Sequence, residues 1–149
     1  MSQADRMPDS LDLERTKLYS PNQVAASAFF GGPIAAIYVL WRNFRTVGND
    51  NAARQTVWIG AGLFILLLAV LPFLPDNFPN SALPAGYTVT AFMIARTYQM
   101  SKAAISESEH YGFQSNWKVA GLAVAFLVAT AAIIVAELLA LDLLGIISL

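Results

Sequence analysis

Two long stretches of this chain contain no charged residue. They run from Val57 to Leu71 and from Val119 to Val135, and further apolar residues flank both of them. A helix that crosses a bilayer needs about 20 apolar residues, because the hydrocarbon core is roughly 30 Å thick. Lipid offers no hydrogen-bond partner to free backbone groups, so such segments must be helical. These two stretches therefore predict two membrane-spanning helices.

The composition excludes several classes of protein. Of the 149 residues, 56% are hydrophobic and 13% are charged, whereas soluble domains are about 45–50% apolar and about 25% charged. The net charge of −1 gives no basic field for nucleic acid. Cysteine is absent and His110 is the only histidine, which argues against a metal site. We therefore expect a lipid bilayer as the main partner, with no nucleic acid, no cofactor, no metal and no enzymatic activity.

A third apolar segment, Leu83 to Met100, is shorter and is interrupted by Arg96. We predict that it also spans the membrane, because the preceding connector is short and the chain must return across the bilayer. The helix is expected to continue past the membrane surface, through Lys102 to about Glu109. We expect the last apolar segment to run from Val119 to Leu144.

The first apolar segment, Val24 to Trp41, contains the sequence Gly31-Gly32-Pro33. Ser20, Pro21 and Gln23 have the pattern of a capping box and predict a helix that begins at Pro21. Pro33 removes a backbone donor and the two glycines permit a reversal, so we predict a break there. A second helix would run from Pro33 to Val47, with Gly48 just past its end.

Two membrane topologies follow for this segment, and the positions of the basic residues favour one of them. Lysine and arginine collect in cytoplasmic loops. If the segment enters the membrane and returns, all nine basic residues lie on one side. We therefore predict an all-α, multi-pass bundle of three spanning helices plus a re-entrant helix pair broken at Gly-Gly-Pro. A fourth, kinked span is the alternative. Residues 1–17 would form a polar cytoplasmic tail, and residues 18–149 one transmembrane domain.

Few residues are candidates for a functional site. Arg96 is the charge that we expect within the membrane, where ionisable groups are expensive and usually have a role. It either reaches the headgroups with its long side chain or binds a partner carboxylate, an anionic lipid or a solute. The break at Gly31, Gly32 and Pro33 is the other candidate, because broken helices form binding sites in transporters. Glu137 is expected near the opposite surface.

The last apolar segment also carries small residues at helical spacing. We expect this set, called here the small-residue face, to pack against another helix of the same chain, with a homo-oligomer or a partner helix as the alternative. Its members are Gly121, Ala125, Ala129, Ala132, Ala136 and Ala140.

Three short motifs resemble those of a group of short bacterial membrane proteins whose function is uncharacterised. They are Leu-Tyr-Ser-Pro-Asn-Gln at 18–23, Phe-Phe-Gly-Gly-Pro at 29–33 and Arg-Asn-Phe at 42–44. The resemblance implies a bacterial inner membrane and no mechanism. We expect a non-enzymatic protein that acts through helix–helix or protein–protein contacts, as an accessory subunit or an immunity-type protein. The alternative is a small transporter or channel subunit that works as an oligomer.

Overall fold

A computed structural model describes residues 15–75 and 77–147 of the chain. Most of the predicted tail, residues 1–14, lies outside the described residues. Within the described part the fold is mainly helical, as predicted, with one pair of three-residue strands. The elements in chain order are β1 (Thr16–Leu18), α1 (Pro21–Thr46), α2 (Asp50–Val70), a short 3₁₀ turn (Leu71–Phe73), α3 (Ala82–Tyr98), α4 (Lys102–Glu107), β2 (Tyr111–Phe113) and α5 (Asn116–Leu143).

Three helices of the described residues are long and apolar enough to cross a membrane: Pro21–Thr46, Asp50–Phe73 and Asn116–Leu143. The last two correspond to the two charge-free stretches. Helix α3, with 17 residues, is about 25 Å long and lies at the lower limit for a span. Its spanning role stays a prediction.

The end-to-end distance of α1 is much shorter than its number of residues suggests, because its two ends lie side by side. Gly32 has a φ of 77° and a ψ of −171°, which interrupts the helix. The backbone N–H of Tyr19 donates to Oδ1 of Asn43 at 2.9 Å, and Nδ2 of Asn43 donates to the carbonyl of Tyr19 at 2.7 Å. In a straight helix these residues would be about 36 Å apart. The predicted break and reversal are therefore confirmed, and α1 is a helical hairpin with its tip at Gly32.

Local signals account for the beginning and the end of this hairpin. The predicted capping box is present: Ser20 Oγ accepts from the N–H of Gln23, and the Gln23 side chain accepts from the N–H of Ser20. Gly48 follows the hairpin with a φ of 77°, as expected for a glycine just past a helix end. Both predicted ends of the broken helix pair are thus confirmed to within a residue.

The hairpin is the centre of the molecule. Helices α2, α3 and α5 each pack extensively against it, whereas they make few contacts with one another. Its buried residues include Val24, Ala28, Val39 and Leu40, which join Ala95 of α3 in the main apolar cluster. Because the hairpin reverses at its tip, it fills the space between the three outer helices from one end of the bundle.

The two strands hold the start of the hairpin beside the start of α5. They pair in parallel, with Thr16 opposite Tyr111 and Leu18 opposite Phe113. Each strand leads into a serine at the N-cap position of the following helix, so the first arm of the hairpin and α5 run in the same direction. Thr16 and Lys17, which the sequence assigned to the tail, belong to this strand pair.

The helix of the third apolar segment ends earlier than predicted. Helix α3 stops at Tyr98, Gln99 has extended backbone angles, and Lys102–Glu107 forms a separate short helix capped by Ser101. The prediction of one continuous helix to about Glu109 was wrong. The break coincides with the local cap at Ser101 and with a long-range interaction of the Gln99 side chain, described below.

Candidate functional site

Two glycines form the hairpin tip, where a side chain would meet either steric or backbone strain. A Cβ on Gly31 would lie 2.6 Å from Cβ of Ala35 and 3.0 Å from the backbone of Ala123 in α5. Gly32 has a positive φ, and its Cβ position lies 3.3 Å from Oγ1 of Thr130. Pro33 follows at the first position of the second arm, where its missing N–H is tolerated. The glycines therefore permit the reversal and also let α5 approach the tip closely.

The open ends of the hairpin are held by a polar cluster that we call the clasp, formed by Tyr19, Leu40, Asn43 and Gln99. Besides its two bonds to Tyr19, Asn43 donates to Oε1 of Gln99 at 2.9 Å. Nε2 of Gln99 in turn donates to the carbonyl of Leu40 at 3.0 Å. Asn43 is 3% exposed, so these bonds satisfy groups that water does not reach. The clasp thus closes the hairpin and ties it to the end of α3.

A second polar connection joins the hairpin to α5. Nε2 of Gln23 donates to the carbonyl of Gln114 at 2.7 Å and to Oδ1 of Asn116 at 2.8 Å. The same side chain accepts the backbone bond of the capping box through its oxygen. Gln23 therefore caps its own helix and fixes the neighbouring one.

The residues that carry the sequence resemblance are the ones that hold the hairpin. Leu18 to Gln23 supplies the buried start, the cap and the connection to α5, Phe29 to Pro33 supplies the tip, and Asn43 closes the clasp. Their arrangement explains the motifs structurally. Sequence reasoning missed the clasp, because its members are separated by 24 to 59 positions in the chain.

The structure does not bring the predicted site residues together. Arg96 is exposed and lies in the last turn of α3, beside the clasp end of the bundle. The tip at Gly32 is 11 residues, or about 16 Å of helical rise, from Pro21 at that end. Among the described residues Arg96 has no ion-pair partner, a position in keeping with a side chain that extends toward the headgroups. Its role in binding a carboxylate, lipid or solute stays a prediction.

Some buried polar atoms of the described residues have no hydrogen-bond partner. The hydroxyls of Ser27 and Thr130 belong to residues that are 0% and 8% exposed. Thr130 faces the tip at Gly32, and Ser27 lies one turn before Gly31 in the first arm. Oε2 of Glu137 is also buried and unpaired, in the final two turns of α5. The hairpin and α5 therefore each carry unpaired polar atoms within the apolar part of the bundle.

A long apolar groove lies between α2 and α3, with the second arm of the hairpin as its floor. Its volume is about 610 Å³. The floor includes Ile37, Leu40 and Phe44, and the walls include Leu63 and Ile94. The absence of a side chain at Gly60 allows α2 to pack closely on this floor, since a Cβ there would lie 2.5 Å from the Ile37 side chain. The groove is thus a consequence of two helices that each contact the hairpin but barely contact each other.

The small-residue face of α5 points away from the rest of the chain. All six of its residues are exposed, whereas Val119, Ala123 and Thr130 on the other side of the helix are buried against the hairpin. The expectation that these small residues pack within the chain was wrong. The hairpin occupies the opposite side of α5, where Gly31 and Gly32 supply the close approach instead.

The described residues contain no group of three metal-binding side chains, and His110 is exposed. No protein-family model, curated protein or solved structure matches this chain. The surfaces open to interpretation are therefore the hairpin tip, the groove and the small-residue face.

Proposed function

We propose that this chain is a non-enzymatic, multi-pass protein of a bacterial inner membrane that acts through helix–helix contacts. It would serve as an accessory subunit or an immunity-type protein, bound to another membrane protein or to a second copy of itself. The observation that carries this proposal is the outward position of the small-residue face. Small residues let helix backbones approach closely in lipid, where apolar surface alone gives no drive to associate.

The proposed topology is re-entrant, with both ends of the hairpin in the cytoplasm. The clasp end of the bundle holds all the basic residues that the structure describes, and basic residues favour the cytoplasmic side. These residues are Arg15, Lys17, Arg42, Arg45, Arg54, Arg96, Lys102 and Lys118. At the other end the described charges are Glu137 and Asp142.

Gly121 in α5 and Gly62 in α2 both have free space at the Cβ position, so substitutions there give a matched test of the helix–helix proposal. A photo-crosslinking amino acid at Ala129, on the small-residue face, should give a discrete protein adduct in bacterial membranes. A Gly121→Leu change should reduce that adduct at least about tenfold, because a large side chain separates the two backbones. Gly62→Leu is the control, since neither glycine has an atom within 4 Å of its Cβ position, and Gly62 lies on another helix. The size of the adduct separates a second copy from a different protein.

Two results would contradict this proposal. One is a yield of protein adduct from a crosslinker at Gly62 that equals the yield from Ala129. The other is an adduct at Ala129 that Gly121→Leu leaves unchanged. Either would mean that the small-residue face meets only lipid or random neighbours.

The unpaired hydroxyls around the hairpin favour a second candidate, a transporter or channel subunit that works as an oligomer. Broken helices place free backbone groups and polar side chains at membrane depth, where they bind ions or substrates. Ser27 and Thr130 are in such positions. Flux of monovalent cations into proteoliposomes, abolished by Thr130→Val, would support this candidate. Absence of flux would argue against this second candidate and leave the proposed role in helix–helix contacts.

A further inference from the structure

We propose that the groove between α2 and α3 binds one acyl chain of an anionic phospholipid, with the headgroup at the clasp end. This proposal concerns a surface other than the small-residue face and shares with the proposed function only the membrane location. It rests on the dimensions of the groove, the positions of its polar groups and the charge at its end.

The groove is long and narrow, which suits an extended hydrocarbon chain. The wall residues of α2 extend from Asn49 to Leu67, which is about 27 Å of helical rise. A volume of about 610 Å³ over that length gives a mean cross-section of about 23 Å². Carbon atoms pack at 3.5–4.0 Å, so one extended hydrocarbon chain has a cross-section of about 12–16 Å² and fits along this space.

The chemistry of the lining fits an acyl chain along most of the groove. Thr56 and Thr90 face it, but their hydroxyls donate to the carbonyls of Ala52 and Gly86 in their own helices. They therefore present mainly their methyl groups. Single polar groups in an otherwise apolar pocket are typical of sites that orient one ligand.

The clasp end of the groove provides the polar surroundings that a headgroup requires. Asn49, Gln55 and Tyr98 line the groove there. Arg45 lies beside this end, with Nε 3.6 Å from Asp50 Oδ1 and its guanidinium over the Trp41 ring. The eight basic residues named above share this end with three described acidic residues, Asp50, Glu107 and Glu109. A positive surface at a membrane interface attracts anionic lipid.

Gly86 allows the groove to be filled without disturbing the fold. It lines the groove, and no atom lies within 4 Å of its Cβ position, so Gly86→Leu should fold normally. Gly62→Leu is the matched control, because Gly62 is equally open but does not line the groove. Thr90→Leu is a second filling variant, from a residue that also lines the groove.

The test is native mass spectrometry of the detergent-purified protein after exchange with vesicles of phosphatidylglycerol and phosphatidylcholine in equal amounts. Wild type and Gly62→Leu should retain one phosphatidylglycerol per chain. Gly86→Leu and Thr90→Leu should retain at least about tenfold less, as expected if the new side chain displaces about two methylene groups.

Three outcomes would overturn the proposal: undiminished retention by both filling variants, equal retention of phosphatidylcholine, or loss of lipid from the Gly62→Leu control as well. Crosslinking at Ala129 in the same variants reports separately on the small-residue face. Failure of one proposal is therefore distinguishable from failure of the other.

Discussion

Asn43 connects the two ends of the hairpin to each other and to the end of α3. One buried amide satisfies the N–H and the carbonyl of Tyr19 and also binds Gln99. Backbone groups that lose their partner in a buried place cost about 1–3 kcal/mol each. Asn43 is buried, so water does not replace the lost bonds. The closed form of the hairpin therefore depends strongly on this one side chain.

We predict that Asn43→Leu destabilises the protein by about 2–4 kcal/mol, because it leaves both backbone groups of Tyr19 unpaired. The measurement is the unfolding midpoint of the helical circular dichroism signal in detergent. Asn22→Leu is the matched control: Asn22 is exposed near the start of the same hairpin and should change the midpoint little. Equal midpoints for the two variants would show that the clasp contributes no net stability.

At the scale of elements, the parts that the sequence predicted are those with local causes. The capping box involves residues three apart, and the tip requires glycine and proline at adjacent positions. The two charge-free stretches needed only hydropathy. Each signal lies within one short segment, so one sequence is enough to read it.

The parts that could not be predicted depend on distant contacts. At the end of helix α3 the Gln99 side chain binds Asn43 and Leu40, and the sequence near Gln99 does not indicate these distant partners. The orientation of α5 about its own axis also depends on distant contacts. Small residues occur on both of its sides, and only the position of the hairpin decides that Ala123 is buried while Ala125 is exposed.

We predict that replacing Gly31, Gly32 and Pro33 together by alanine converts the hairpin into one straight helix. Alanine disfavours the positive φ of Gly32 and restores the backbone donor that Pro33 lacks. A straight helix of 26 residues would be about 39 Å long and would cross the bilayer. A cysteine at Thr16 should then react with a membrane-impermeant reagent from the side opposite to a cysteine at Asn49.

Gly48→Ala is the control for this change. Gly48 has the same φ of 77° but has no atom within 4 Å of its Cβ position. It should lose some stability through backbone strain and keep its sidedness. If the triple variant also keeps its sidedness, the reversal does not depend on the tip and the clasp alone must hold it.

At the scale of the whole molecule, the arrangement separates three surfaces. The hairpin occupies the centre, so each outer helix has one side on the hairpin and the other side free. Helix α2 is the most exposed, with Ala53 as its only buried residue. The groove and the small-residue face lie on different helices, which is why one glycine substitution can test each of them separately.

The position of the strand pair leads to the last prediction, which concerns the sidedness of the whole chain. Thr16 pairs with Tyr111, and Asn43 binds Tyr19, so the chain before the hairpin, the chain after it and the connector before α5 share one end. That end holds the eight described basic residues, which favour the cytoplasm.

Because the native chain lacks cysteine, single cysteines can be introduced at Thr16, Asn49 and His110 without background. All three should react with an impermeant reagent in inverted vesicles and stay protected in intact spheroplasts. A cysteine at Asn80, in the connector between α2 and α3, should show the reverse. If Thr16 and Asn49 react from opposite sides in the unmodified hairpin, Pro21–Thr46 crosses the membrane as a kinked helix and the re-entrant topology is wrong.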